Sequence, residues 1–139
     1  MIFLDTNVVS EFAKPKPSAT VLEWVERHDS ELALSSVVIG EIGYGIEQIR
    51  PAERPPRLLE AFAGLRQRFA GRTYAFDEDA SLIYGRVMGN AKRQGRAMTI
   101  PDGMIAAIAL QHAAALATCN SDHFALPELQ LIDPWRRPW

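Results

Sequence analysis

At 139 residues, 47% of them hydrophobic, the chain has enough material for one ordinary core and too little for two, so a single domain over residues 1–139 is expected. The lone Cys119 excludes a disulfide framework, and there is no signal-peptide pattern and no apolar run near the roughly 20 residues of a membrane span, which points to a soluble cytoplasmic protein with no membrane attachment. A net charge of −2 speaks against a general nucleic-acid coat, yet residues 50–96 hold ten Arg and Lys against five acids while residues 1–49 hold three against eight.

Ile2 to Asp5 reads as a short buried strand, after which Thr6-Asn7 opens a helical stretch that Pro15 and Pro17 interrupt. Ser18 can cap a helix whose apolar positions Val21, Leu22 and Val25 surround Trp24. Leu32 to Ser35 fits a second strand, and Ser36 is the expected cap of a helix from about Val37 to Ile49 with Val38, Ile42, Ile46 and Ile49 on one stripe. Gly40, Gly43 and Gly45 each cost that helix about 1 kcal/mol relative to Ala, so close approach by a neighbouring helix, a partner subunit or a ligand is expected there.

Beyond Pro51, Pro55 and Pro56, the positions Leu58, Phe62, Leu65 and Phe69 mark an amphipathic helix. Thr73 to Phe76 reads as a strand, and Asp77 to Arg93 as a helix with acids in its first turn and bases in its last, ending at Gly95. Thr99 to His112 gives another helix, Leu116 to Cys119 a strand, and Leu131-Ile132 a final short strand. Strands that alternate with helices predict an α/β class, with a mostly parallel sheet covered on both faces and a site at the carboxyl ends of its strands.

Three acids stand in apolar surroundings: Asp5 closes Met1-Ile2-Phe3-Leu4, Glu41 lies within Val37 to Ile42, and Asp102 opens Gly103 to Ile108. An ionised carboxylate buried without a partner would sooner take up a proton, and no Lys or Arg lies in these runs. Each acid has an ordinary explanation as well: Asp5 as a helix cap, Asp102 at a capping-box position after Thr99, Glu41 in a salt bridge. Were the three to converge, repulsion of roughly 4 kcal/mol per close pair at an effective dielectric of 20 would need neutralising, and a divalent cation does that. An oxygen-only set favours Mg²⁺ or Mn²⁺ over Zn²⁺, and water activated by such an ion suits phosphodiester hydrolysis. The basic segment, including Arg86, Lys92, Arg93 and Arg96, either tracks a phosphate backbone or forms solvated helix faces.

The segments Leu4-Asp5-Thr6-Asn7-Val8, Leu34-Ser35-Ser36 leading to Glu41, Asp102 to Ala107, and Ala117-Thr118 before Asn120 and Phe124 resemble, in this order, those of PIN-domain ribonucleases. With the ending Asp133-Pro134-Trp135, the likeness is to VapC-type toxins of the FitB-like branch and covers nearly the whole chain. It implies a three-layer α/β/α domain and a metal-dependent endoribonuclease that is the toxin of a type II toxin–antitoxin pair. It further implies a homodimer silenced by a cognate antitoxin helix laid along its groove, with operator DNA bound only through that antitoxin. By the same resemblance Asp5, Glu41 and Asp102 hold Mg²⁺ or Mn²⁺, Thr6 and Asn7 orient Asp5, and Thr118 supports a fourth position.

That fourth position departs from the family pattern, since many members carry Asp where this chain has Asn120. Either Asn120 acts through a water, or Asp122 takes its place, or a second metal is weak. The same departure motivates a rival reading, a catalytically weakened domain that serves as a binding module for the antitoxin or its DNA complex. A phosphatase with Asp5 as nucleophile fares worse, because Asn7 cannot serve as the acid and base two residues on. Cys119 reads as a small core residue, His123 as closing a turn or touching substrate, and Trp135 and Trp139 as docking a partner or folding back on the core.

Overall fold

The computed structural model describes residues 1–139. Five short strands, β1 (Ile2–Leu4), β2 (Leu32–Ser35), β3 (Thr73–Tyr74), β4 (Ala115–Ala117) and β5 (Leu131–Ile132), pair in parallel in the order β3-β2-β1-β4-β5. Ile2 lies opposite Leu32 on one side and Ala115 on the other, so β1 is the central strand. All three of its side chains are buried, which is why its sequence is an unbroken apolar run rather than an alternating one. Six helices flank the sheet: α1 (Thr6–Ser10), α2 (Ala19–His28), α3 (Ser36–Glu47), α4 (Pro56–Arg68), α5 (Glu78–Arg93) and α6 (Ile100–Gln111).

From β1 the chain steps outward through β2 to β3, then returns to the other side of β1 with β4 and β5. Strand order therefore reverses at β1 and β4, and a crevice opens at their carboxyl ends, where doubly wound sheets place their ligands. A continuous core of 27 buried residues, with Phe3, Leu4, Trp24, Leu34, Phe69 and Ile108 among the fully enclosed, holds this end of the sheet rigid. Each such side chain contributes about 1.5–3 kcal/mol by leaving water.

Several expectations are corrected. Ser35, not Ser36, caps α3: its buried hydroxyl accepts the Val38 N–H at 3.2 Å because Ser35 still has extended backbone. Strand β4 stops at Ala117, so Cys119 lies in the following loop and is exposed instead of in the core. A Cβ at Gly43 would make ordinary contact with the Phe62 ring of α4 at 3.8 Å, and nothing else in the chain comes within 4 Å at Gly40 or Gly45, so a neighbouring helix reaches one of the three glycines and none of them tightly. The tight approach falls on Gly103, where a Cβ would lie 2.5 Å from Met88 Sδ and 3.1 Å from the Tyr84 ring at the α5–α6 contact. Trp135 and Trp139 fold back onto the core, and Trp139 is flanked by the Arg27 and Arg137 guanidinium groups at 5.2 and 5.0 Å.

Candidate active site

Each acid reaches the crevice by a different local device. Asp5 is the residue after β1; its N–H continues the ladder to Ala117 O at 2.9 Å, and its side chain caps α1 by accepting the Thr6 N–H at 2.8 Å. Glu41 rides in the second turn of α3, positioned by the Ser35 cap at the end of β2. Asp102 stands in the first turn of α6, whose cap Thr99 accepts the Asp102 N–H at 3.3 Å. The reciprocal half of a capping box is missing, since the Asp102 carboxylate makes no bond to the Thr99 N–H; His123 Nδ1, 3.7 Å away, is its near neighbour. The plain capping explanation of Asp102 is therefore only half met.

One pocket gathers these side chains, lined by Asp5, Thr6, Asn7, Ser10, Lys14, Glu41, Asp102 and Asn120, without a single apolar residue. At its floor Asp5 is 4% exposed. Its Oδ2 accepts from Thr118 Oγ1 at 2.8 Å and from Asn7 Nδ2 at 3.0 Å, while Oδ1 accepts only the Thr6 N–H. Thr118 Oγ1 in turn accepts the Asn120 N–H at 3.0 Å and Asn7 Nδ2 at 3.2 Å, and the Asn7 side-chain Oδ1 accepts the Cys119 N–H at 3.3 Å. The Thr6 hydroxyl donates to Glu41 Oε1 at 2.6 Å and so ties the second acid to the residue beside the first.

Burial pushes the Asp5 carboxyl above its ordinary range, and the nearby Asp102 charge adds to this, against the hydrogen bonds from Thr118, Thr6 and Asn7. No Lys or Arg pairs with Asp5, Glu41 or Asp102. The all-oxygen donor set fits a hard divalent ion. Glu41 is turned to Thr6, and no three acidic, His or Cys side chains close around a single point in this arrangement.

Of the other residues expected at the site, Asn120 lines the pocket, whereas Asp122 faces a neighbouring one with Arg96 and His123. Arg86 pairs with Glu128 at 3.2 Å, Arg96 donates to Ala125 O and Gln94, Arg93 donates to Asn90, and Lys92 makes no ion pair. Arg68 and Arg72 are drawn to Asp29 and its surroundings, Arg72 Nη1 donating to Asp29 O at 2.6 Å and Leu32 O at 3.2 Å. Sequence reasoning missed Ser10 and Lys14 at the pocket rim. The signal for Lys14 was its place three residues after Glu11, a spacing that pairs opposite charges.

The PIN domain family model matches residues 2–129. The chain is 36% identical over 137 residues to VapC ribonuclease Y4jK of Sinorhizobium fredii, covering 97% of this chain and 98% of that protein. It is 33% identical over 137 residues to toxin FitB of Neisseria gonorrhoeae, covering 97% and 99%. The crystal structure of FitAcB from Neisseria gonorrhoeae superposes with a TM-score of 0.89 at 32% identity, over 99% of this chain and 100% of that one. DNA-bound VapBC from Salmonella typhimurium superposes with a TM-score of 0.84 at 26% identity, over 96% and 97%. A five-stranded parallel sheet between helices, the crevice acids and these likenesses agree: the chain belongs to the PIN domain family, with VapC and FitB toxins among its relatives.

Proposed function

We propose that the protein is a Mg²⁺- or Mn²⁺-dependent endoribonuclease and the toxin of a type II toxin–antitoxin pair. The observation that carries this reading is Asp5: a buried carboxylate, raised in pKa, with no cation of its own, in a pocket shared with Glu41 and Asp102. Relatives named VapC ribonuclease, tRNA(fMet)-specific endonuclease VapC and toxin FitB support it.

Asp5 Oδ2 has both acceptor sites filled by Thr118 and Asn7, while Oδ1 keeps one free, so the most tightly held acid offers a single fixed contact. Glu41 and Asp102, on helix stems, would supply the other carboxylates of the set; in this structure the Thr6 hydroxyl is the partner of Glu41. A divalent ion held there would offset the clustered charge and lend Lewis acidity to water and to the phosphoryl oxygen. Asn120 adds an uncharged donor and acceptor at the rim, able to bind a water or a phosphate oxygen without further repulsion.

The partners follow from the surroundings. An apolar pocket between α1, α3 and α4, lined by Val9, Phe12, Ile42, Phe62 and Leu65, shares Ser10 with the acid pocket, so an antitoxin helix seated there would lie beside the acids. In the same proposed reading, resting on the family resemblance and not on the pocket, operator DNA is reached through that antitoxin and the protein pairs as a homodimer. Incubation of the purified protein with single-stranded RNA tests the reading: cleavage should require Mg²⁺ or Mn²⁺, stop with chelator and vanish in Asp5→Asn. Intact RNA under all metal conditions would favour the second reading, a weakened domain that only binds antitoxin, which the neutral Asn120 motivates.

A further inference from the structure

The acid pocket also holds one cation, and we infer that Lys14 is the residue through which this protein grips an RNA phosphate beside the bond it cuts, with Glu11 as its tether. This rests on the ribonuclease reading above. Lys14 is the only positively charged side chain lining the pocket with Asp5, Glu41 and Asp102. Its Nζ sits 2.8 Å from Glu11 Oε2, yet its side chain is 57% exposed while that of Glu11 is 4% exposed. Glu11 is itself held, since its other oxygen, Oε1, accepts the Ser18 N–H at 2.7 Å at the cap of α2. The ammonium thus rests in an ion pair against a buried carboxylate and keeps donors for a ligand.

The placement matters because a phosphodiester approaching three carboxylates meets repulsion even after one divalent ion is bound. A lysine at the rim offsets that residual charge. An untethered lysine would instead fall onto the acids and compete with the ion; the Glu11 carboxylate restrains the ammonium from doing so. A merely structural ion pair at this exposure would contribute little to stability and would have no reason to face the acids.

The test is the salt dependence of binding of a fluorescent single-stranded RNA, in Ca²⁺, to the full-length wild type, Lys14→Gln and Lys14→Arg. The inference predicts several-fold weaker binding for Lys14→Gln, with the slope of log affinity against log salt shallower by about 0.7 for one lost phosphate contact. Lys14→Arg should restore both the slope and wild-type melting, and binding by Lys14→Gln is measured well below its melting temperature, because that variant removes the counter-charge of Glu11. In cleavage assays the Lys14→Gln deficit should fall mainly on KM. An unchanged slope in Lys14→Gln overturns the inference even if wild type cuts RNA. A changed slope in a protein that cuts nothing upholds the phosphate contact and removes the hydrolytic reading, and no RNA binding by wild type removes both.

Discussion

Two acids on the same short stretch of chain, Asp5 and Glu11, are both shielded from water, 4% and 3% exposed, but Asp5 lies far deeper in the protein than Glu11, and their carboxyls move in opposite directions. Burial opposes ionisation of Glu11, but the hydrogen bond and charge of Lys14 and the Ser18 N–H outweigh it, and the group falls below its usual range. Asp5 receives hydrogen bonds from Thr118, Thr6 and Asn7, none of them charged, and has Asp102 rather than a base for a charged neighbour. Burial raises it, and nothing in the chain compensates fully. Low solvent exposure alone therefore does not set the direction; depth and the presence of a counter-charge together separate the two acids.

Activity should separate the pair most. Asp5→Asn is expected to lower RNA cleavage in Mn²⁺ by roughly 100-fold or more, because it removes a charged ligand at the centre of the site; retention of cleavage would merge the two acids into one structural class. Stability should separate them the other way. Glu11→Ala strands the Ser18 N–H and the Lys14 charge and is expected to cost about 1–3 kcal/mol in urea unfolding. Metal-free Asp5→Asn is expected to be no less stable than wild type.

The pH dependence sharpens the contrast. Because the folded Asp5 carboxyl is raised, its ionisation costs stability as pH climbs from the ordinary value of 3.8 through the folded one, so the advantage of Asp5→Asn should be absent below that value and grow toward neutrality. Glu11 has the reverse sign: its contribution is complete above its ordinary value of 4.5 and is lost as pH falls through the lowered folded value, so Glu11→Gln should matter least in acid. Unfolding series of the three proteins against pH would expose both trends. A smaller effect, about 1 kcal/mol, is expected for Thr118→Val, which deletes the hydroxyl shared by Asp5, Asn7 and Asn120. The smallest belongs to the exposed Arg86–Glu128 pair, where Arg86→Ala should change stability by less than about 0.5 kcal/mol.

Much of the fold was legible because β1 is apolar without alternation and strands recur between helices, which only a buried parallel sheet satisfies. That Asp5, Glu41 and Asp102 gather at one pocket was legible for the same reason, as charges where the pattern demands none. Lys14 was not, because it lies in an aperiodic stretch before Pro15 and its meaning depends on where Glu11 turns it. The arginines of α4 carry a similar lesson: Arg68 meets Asp29 across 39 positions of sequence, so charge counting alone made a phosphate surface out of groups that partly serve the fold. The glycines of α3 were expected to mark close packing, but that packing occurs at Gly103, where only the three-dimensional course of α5 brings Met88 overhead.

Calorimetric titration of Mn²⁺ into metal-free wild type and Asp5→Asn, followed by RNA cleavage with the same samples, addresses the pairing of buried acid and missing cation most directly. Saturable binding by wild type, lost together with cleavage in Asp5→Asn, is the predicted result. Equal binding by both proteins, or RNA cleavage by a wild type that takes up no ion, would contradict it.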